Sequence, residues 1–238
     1  MTLLITVRPE PGGAKTLAAA RQLGLEALSF PLFAVQPVDW VIPEPETFDA
    51  LLIGSANAVR HGGAGLRQYR DKPAYIVGAA TAQAAEAAGL TVAATGKGGI
   101  QALLASLAPN HRHLLRLSGR ARVVLSPPPG VTVIEHVVYD SAPLPLPPDL
   151  ARLLATRALA GAVVLLHSAE AARHFAAECD RMQIARAQLR LATLGPRIAA
   201  AAGGGWMAVV SAETPDDTAM LALAEQLCQN SNLPKLGR

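Results

Sequence analysis

Aromatic side chains are scarce in this sequence: Trp, Tyr and Phe together make up 4% of 238 residues. So few rings leave little with which to stack nucleic-acid bases. Cysteine is nearly missing. Cys179 and Cys228 are the two present, and they form no C-x-x-C or Cys/His spacing of the kind that ligates zinc. Charge of one sign is not concentrated either. Lys and Arg number 21 against 18 Asp and Glu, a formal net charge of +3, with no basic stripe. That balance suits a modest anionic ligand better than a polyanion, and it equally suits an ordinary solvated surface. No apolar run approaches the roughly 20 residues that span a bilayer. Met1 leads straight into TLLITV and then Arg8-Pro9, flanks unlike those of a signal peptide. Together these shortages lead to the expectation of a cytoplasmic protein that contacts neither nucleic acid nor membrane.

What the sequence does hold is apolar matter, 51% of all residues, much of it alanine. Short uninterrupted apolar runs at residues 3–7, 50–54, 74–78, 162–167 and 191–195 each precede a helical pattern. Unbroken rather than alternating runs predict strands covered on both faces. Their alternation with helices predicts βαβ units and parallel sheets. Gly24, Gly89 and Gly203 stand where helix C-caps belong, and Thr214-Pro215-Asp216-Asp217 reads as an N-cap for a last helix. Two stretches break the rhythm, residues 35–46 (VQPVDWVIPEPE) and 137–149 (VVYDSAPLPLPPD). Both are proline-rich, extended in expectation and poor in helix potential.

One unit is written twice. Residues 49–61 read DALLIGSANAVRH and residues 162–175 read AVVLLHSAEAARHF. Each is an apolar run, then Ser-Ala, then a small-residue helix that reads as ending at a histidine, His61 or His174. Ser55 and Ser168 have successors in the same order, because Gly78 and Gly195 each close a later apolar run and open a helix. Two consecutive βα units in register predict a structural duplication. In such sheets the strand C-termini and helix N-termini gather on one edge. Their free N–H groups and dipoles favour anions there, at about 0.3–1 kcal/mol per exposed charge.

The hydroxyl and amide residues of these turns, Ser55, Asn57, Thr81 and Ser168, are candidate carboxylate donors, although the same residue types are favoured N-caps anywhere. Arg8, after the first run, and Arg197, in GPRIA, are candidate carboxylate clamps. Arg116, Arg120 and Arg122 are weaker ones. GKGG at residues 96–99 lacks the spacing of a phosphate loop and reads as a turn into the next helix. His111 and His113 lack a third metal ligand, and no Ser-His-Asp set is apparent.

The ordered set VRPEPGG, FDALLIGSANAVRH, YIVGAATAQAAEAAGL, LLRLSGRAR, VVYDSAPLP, VLLHSAEAARHF and LATLGPRIAAAA resembles the uroporphyrinogen-III synthase family over nearly the whole chain. The resemblance implies two flavodoxin-like or Rossmann-like α/β lobes joined by two extended crossings. Residues 1–35 with 142–238 would form lobe 1 and residues 36–141 lobe 2, with the ligand in a cleft between them. It implies a cofactor-free, monomeric lyase that cyclises hydroxymethylbilane, a linear tetrapyrrole polycarboxylate. Water is lost and ring D is inverted, giving uroporphyrinogen III. Transient contact with hydroxymethylbilane synthase would supply the substrate.

Tyr139 in VVYD matches the family's cleft tyrosine, and the resemblance gives it the role of general acid toward the leaving hydroxide. Control of ring closure would rest mainly on proximity and orientation, which asks for few indispensable side chains. Ile198 departs from the family, since it stands where the other lobe has Thr81. Two other readings stay open: a non-catalytic two-lobed tetrapyrrole-binding or sensor domain, and a nucleotide-binding α/β enzyme. The last is disfavoured because no glycine-rich fingerprint follows a strand.

Overall fold

Four-residue runs of Val, Leu, Ile and Ala have nothing polar to offer water, so they are stable only where both faces are covered. A computed structural model, which describes residues 3–156 and 162–229, shows them so covered. The chain forms two units, residues 1–34 with 143–238, and residues 35–142.

In the first unit the strands are β1 (Leu4–Thr6), β2 (Ala27–Ser29), β9 (Val163–Leu166), β10 (Arg190–Thr193) and β11 (Ala208–Ser211). The second unit holds β4 (Ala50–Ile53), β5 (Pro73–Val77), β6 (Thr91–Gly96) and β7 (His113–Gly119). Two further strands, β3 (Phe33–Pro37) and β8 (Thr132–Pro143), belong to its sheet and carry the unit boundaries within their length.

The first sheet runs β11-β10-β9-β1-β2, all parallel. Numbered by position along the chain within that unit, this is the flavodoxin-like order 2-1-3-4-5. The second sheet runs β3-β8-β7-β4-β5-β6. Set against the first, β7 and β8 occupy the places of β1 and β2, and β4, β5 and β6 those of β9, β10 and β11. The same spatial order recurs with the chain entering at a different point, and β3 extends the edge.

Burial alternates along these strands between two helical layers. On one face of the first sheet Ile5, Val164, Leu166 and Leu191 pack with Leu150 and Leu154 of α5 (Pro148–Ala155) and with Phe175 of α6 (Ala169–Arg181). On the other, Leu4, Val163, Leu165 and Ala192 pack with Ala20 of α1 (Gly12–Gln22) and Met220, Leu221 and Ala224 of α8 (Asp217–Gln229). In the second unit Leu51, Ile53, Ile76 and Leu117 meet Val59 of α2 (Ala56–His61) and Ala85 of α3 (Ala79–Ala87). Leu52, Tyr75 and Leu114 meet Ile100 and Leu103 of α4 (Ile100–Leu103) on the opposite face. Each fully buried aliphatic chain contributes about 1.5–3 kcal/mol against exposure. Small alanines on the helices let the layers approach closely.

The helix starts repeat as the sequence predicts. Ser55 and Ser168 are extended N-caps whose hydroxyls accept from Asn57 N and Ala171 N at 3.2 and 3.1 Å. Gly78 opens α3, and Gly195 opens α7 (Pro196–Ala202). Gly24, Gly89 and Gly203 follow α1, α3 and α7 with φ of 71°, 81° and 70°, the C-terminal turn a Cβ would strain.

His174 departs from expectation. It does not end its helix, because α6 continues to Arg181 on a buried face of Phe175, Ala176 and Cys179. The His174 Nε2 lies 2.7 Å from the Leu144 carbonyl. Burial pushes the Cys179 thiol up to about 12, so it is inert packing rather than a nucleophile. The side chain of Cys228 lies outside the described residues.

Glu178 ties α6 to the proline-rich stretch. Its carboxylate accepts from Leu146 N at 2.6 Å and is gripped by Arg181 at 2.8 and 2.7 Å. These donors hold its pKa down to about 2 from 4.5, with the Arg181 bond the largest cause. A depressed carboxylate stabilises the fold above its unfolded value, and that contribution is lost as pH falls through the folded one. Glu178→Gln is therefore expected to cost on the order of 2 kcal/mol at pH 7. In urea unfolding of both proteins as a function of pH, the gap between them should close between about pH 4.5 and 2.

Candidate functional site

Because β1, β2, β9, β10 and β11 of the first sheet and β4 to β8 of the second pair in parallel, strand C-termini emerge on one edge of each unit. Ligand sites of open α/β sheets lie outside those ends, where the strand order reverses. In the second unit the reversal falls between β4 and β7. A cavity of about 280 Å³ opens there, lined by Gly54, Ser55, Arg116, Ser118, Arg122 and Tyr139 among others.

A β-bulge shapes it. Ser118 pairs with Val137, but Gly119 pairs with Tyr139, so Val138 is the extra residue. Such a bulge re-aims the side chain beside it. Here it lays the phenol of Tyr139 over Gly119. A Cβ built on Gly119 would stand 2.6 Å from Tyr139 Cζ and 2.9 Å from its hydroxyl. Glycine is needed for this close approach. The ring of His61 lies 6.4 Å from that of Tyr139, centroid to centroid. Burial, then the charge of Arg60, holds the His61 imidazole below its ordinary value, so it is neutral beside the phenol at pH 7.

Behind the phenol sits a charge cluster. Arg116 on β7, only 4% exposed, meets Glu135 Oε2 at 2.6 Å and donates to the Val123 carbonyl at 2.8 Å. Arg122 pairs with the other oxygen of the same carboxylate. Burial pulls the Arg116 pKa down and Glu135 holds it up.

In the first unit the reversal falls between β1 and β9, and another cluster stands at those strand ends. The Asp217 carboxylate accepts from Arg8 Nη1 at 3.1 Å and Thr16 Oγ1 at 2.9 Å, and its other oxygen lies 3.1 Å from His167 Nε2. These partners, the His167 bond first, lower the Asp217 pKa. Nδ1 of His167 is buried with no partner among the described residues. His167 also lines a cavity of about 320 Å³ with Leu194, Gly195, Arg197, Ile198 and Pro215.

The sequence-predicted residues fare differently. Ser55 and Tyr139 share the cavity of the second unit. Asn57 lies in the first turn of α2, its Oδ1 accepting from Arg60, and lines neither cavity. Thr81 is 6% exposed in the first turn of α3. Ile198 takes the same place in α7 and is 9% exposed, packed in the core. The backbone N–H groups of both reach back to the opening glycine, at 3.2 and 3.0 Å. Ser168 is exposed beside His167, and Arg197 is exposed at its cavity. Arg8 is half-buried against Asp217.

Arg116 and Arg122 are among the weaker clamp candidates of the sequence, whereas their shared partner Glu135, the bulge and His167 lie beyond what sequence reasoning assigned to the site. A basic residue inside an apolar strand run (LLRLS) and a histidine directly before a capping serine are the signals that mark Arg116 and His167. His111 and His113 are engaged by Tyr75 and Asp49.

The family profile described as Uroporphyrinogen-III synthase HemD matches residues 14–222. The chain belongs to the uroporphyrinogen-III synthase family. Among solved structures it is similar to the uroporphyrinogen-III synthetase of Helicobacter pylori, at 18% identity and TM-score 0.65, covering 95% of this chain and 100% of that one. It is also similar to a mutant uroporphyrinogen III synthase of the extremely thermophilic bacterium Thermus thermophilus, at 20% identity and TM-score 0.55, covering 97% and 100%. At these identities the likeness establishes the two-lobed α/β fold of the uroporphyrinogen-III synthases. No curated protein matches the sequence.

The contact of Gly119 with the phenol is open to a double-mutant cycle. Gly119→Ala is expected to destabilise by about 1–3 kcal/mol through overpacking. In a Tyr139→Ala background the same change should be nearly neutral, as chemical denaturation would show. Equal costs in both backgrounds would mean that the strain lies elsewhere.

Proposed function

We propose that this chain catalyses the reaction of its family, the closure of hydroxymethylbilane to uroporphyrinogen III with inversion of ring D. What supports the reading most is the placing of Tyr139. In a chain matched to the family over residues 14–222, this phenol borders a cavity at a strand-order reversal, beside the Ser55 hydroxyl and the guanidinium groups of Arg116 and Arg122.

In this reading the phenol donates its proton to the departing hydroxide, and water leaves. The azafulvene that remains is electrophilic. Ring D attacks it through its substituted carbon to give a spiro intermediate, which rearranges and closes. The last ring proton returns to the phenolate, so the acid is regenerated and nothing is oxidised or reduced. The substrate cyclises unaided to the other isomer. The protein therefore acts chiefly by holding the chain so that the substituted carbon is nearest. Arg8, Ser55, Asn57, Thr81, Ser168 and Arg197 are proposed as carboxylate donors. For Ser55 and Ser168 the hydroxyl proton remains to be donated, since each oxygen accepts from a backbone N–H. The reading includes a monomeric, cytoplasmic enzyme supplied by hydroxymethylbilane synthase and working without a cofactor. Among the described residues, no helix is long and apolar enough to cross a membrane.

The packing of Ile198 into the core removes one hydroxyl donor and favours the alternative, a binding domain without catalysis. A coupled assay separates the two. Porphobilinogen and its deaminase are supplied, the product is oxidised, and the isomers are resolved. The type III isomer is expected; type I alone, in the presence of folded protein, would reject the enzyme. Tyr139→Phe is expected to lower kcat by roughly tenfold to a hundredfold while the product remains type III. Full activity in that variant would remove Tyr139 as the acid.

A further inference from the structure

Arg116, Arg122 and Glu135 are not explained by packing. Two guanidinium groups converge on one carboxylate, so the cluster carries a surplus positive charge at the cavity wall. Arg116 is buried, and its Nε has no partner among the described residues. Burying a charged group is costly unless it is fully paired, and an orphaned guanidinium N–H is a donor waiting for an acceptor. The cavity that holds Tyr139 and Ser55 is lined by both arginines. A second cavity of about 480 Å³, on the side of Val124, Leu125 and Val133, is lined by all three charged residues. The cluster therefore forms the wall between two openings, one of them carrying the proposed acid. The flanking Val123 and Val124 are 60% and 94% exposed, which gives the charged wall an apolar rim.

We propose that Arg116 and Arg122 form a carboxylate subsite for an acidic side chain of a pyrrole ring, with Glu135 as the internal counter-charge that keeps the empty site stable. A planar carboxylate suits the guanidinium fork, and a pyrrole edge suits the valine rim. This rests on the proposed tetrapyrrole reading and assigns the ring gripped beside the phenol to this cluster. Glu135 competes with the ligand for the same donors. Removing its charge therefore strengthens ligand binding, whereas removing the charge of Arg122 weakens it.

Opposite signs from two neighbouring residues make the test sharp. Binding of uroporphyrinogen III would be titrated under anaerobic conditions to wild-type protein and to Arg122→Gln, Arg122→Glu and Glu135→Gln, with folding checked by circular dichroism. Arg122→Gln should weaken binding by about fivefold to tenfold, and Arg122→Glu should weaken it further. Glu135→Gln should bind more tightly than wild type. The salt dependence should flatten in both Arg122 variants. Equal affinity in all folded variants, or weakening by Glu135→Gln equal to that of Arg122→Gln, overturns the subsite. Should Glu135→Gln not fold, the Arg122 pair decides: no difference between Gln and Glu overturns the proposal. Wild-type protein that forms the type III isomer with unaffected Arg122 variants loses only the subsite. Wild-type protein that neither binds nor converts loses the enzyme reading and the subsite with it.

Discussion

Parallel strands buried on both faces constrain everything else in this protein. A strand such as β9, with four fully buried residues in Val163–Leu166, has no face on which to carry a polar group. Chemistry is pushed to its ends. Since neighbouring strands run the same way, those ends coincide, and each unit gathers its hydroxyls, guanidiniums and helix starts on one edge. Arg8, Ser55, His167 and Asp217 lie just past a strand end or in the first turn of a helix, while Arg116, Glu135 and Tyr139 are carried within β7 and β8, nearer the edge of the second sheet. The core is thus the reason the sites lie where they do.

The edges are not idle sets of donors. Ser55 and Ser168 already accept backbone N–H groups, and Arg8 is held by Asp217, which also engages Thr16 and His167. Such pairing fixes side chains in place before any ligand arrives, which lowers the ordering cost of binding. The bulge at Gly119 does the same for Tyr139 by geometry alone. Two sheets of the same spatial order use the reversal point in different ways. The first places a shared carboxylate there, and the second places a phenol backed by two arginines on one glutamate.

The local units were legible in the sequence because their causes are local. Apolar runs of four or five residues between polar ends announce β1, β4, β5, β9 and β10. Serine and glycine announce the helix starts, and Gly24, Gly89 and Gly203 the stops. The edge strand β6 (Thr91–Gly96), half-exposed throughout, carries no such run and is not announced by the sequence. His174 misled because a histidine after an arginine imitates a helix end, while the buried stripe that carries α6 on to Arg181 depends on contacts with the sheet.

The sequence by itself determined the class of fold, the repeated strand–serine–helix units and the family, since each depends on the order and polarity of neighbouring residues. Only the tertiary structure decided which distant residues meet. Arg8 reaches Asp217 across 209 positions, and Gly119 lies under Tyr139 because a strand pairing slips by one residue. Arg116 and Arg122 share Glu135. Contacts of this kind are set by strand order and register, and these follow from the joint burial of the whole sheet, which no short stretch of sequence encodes.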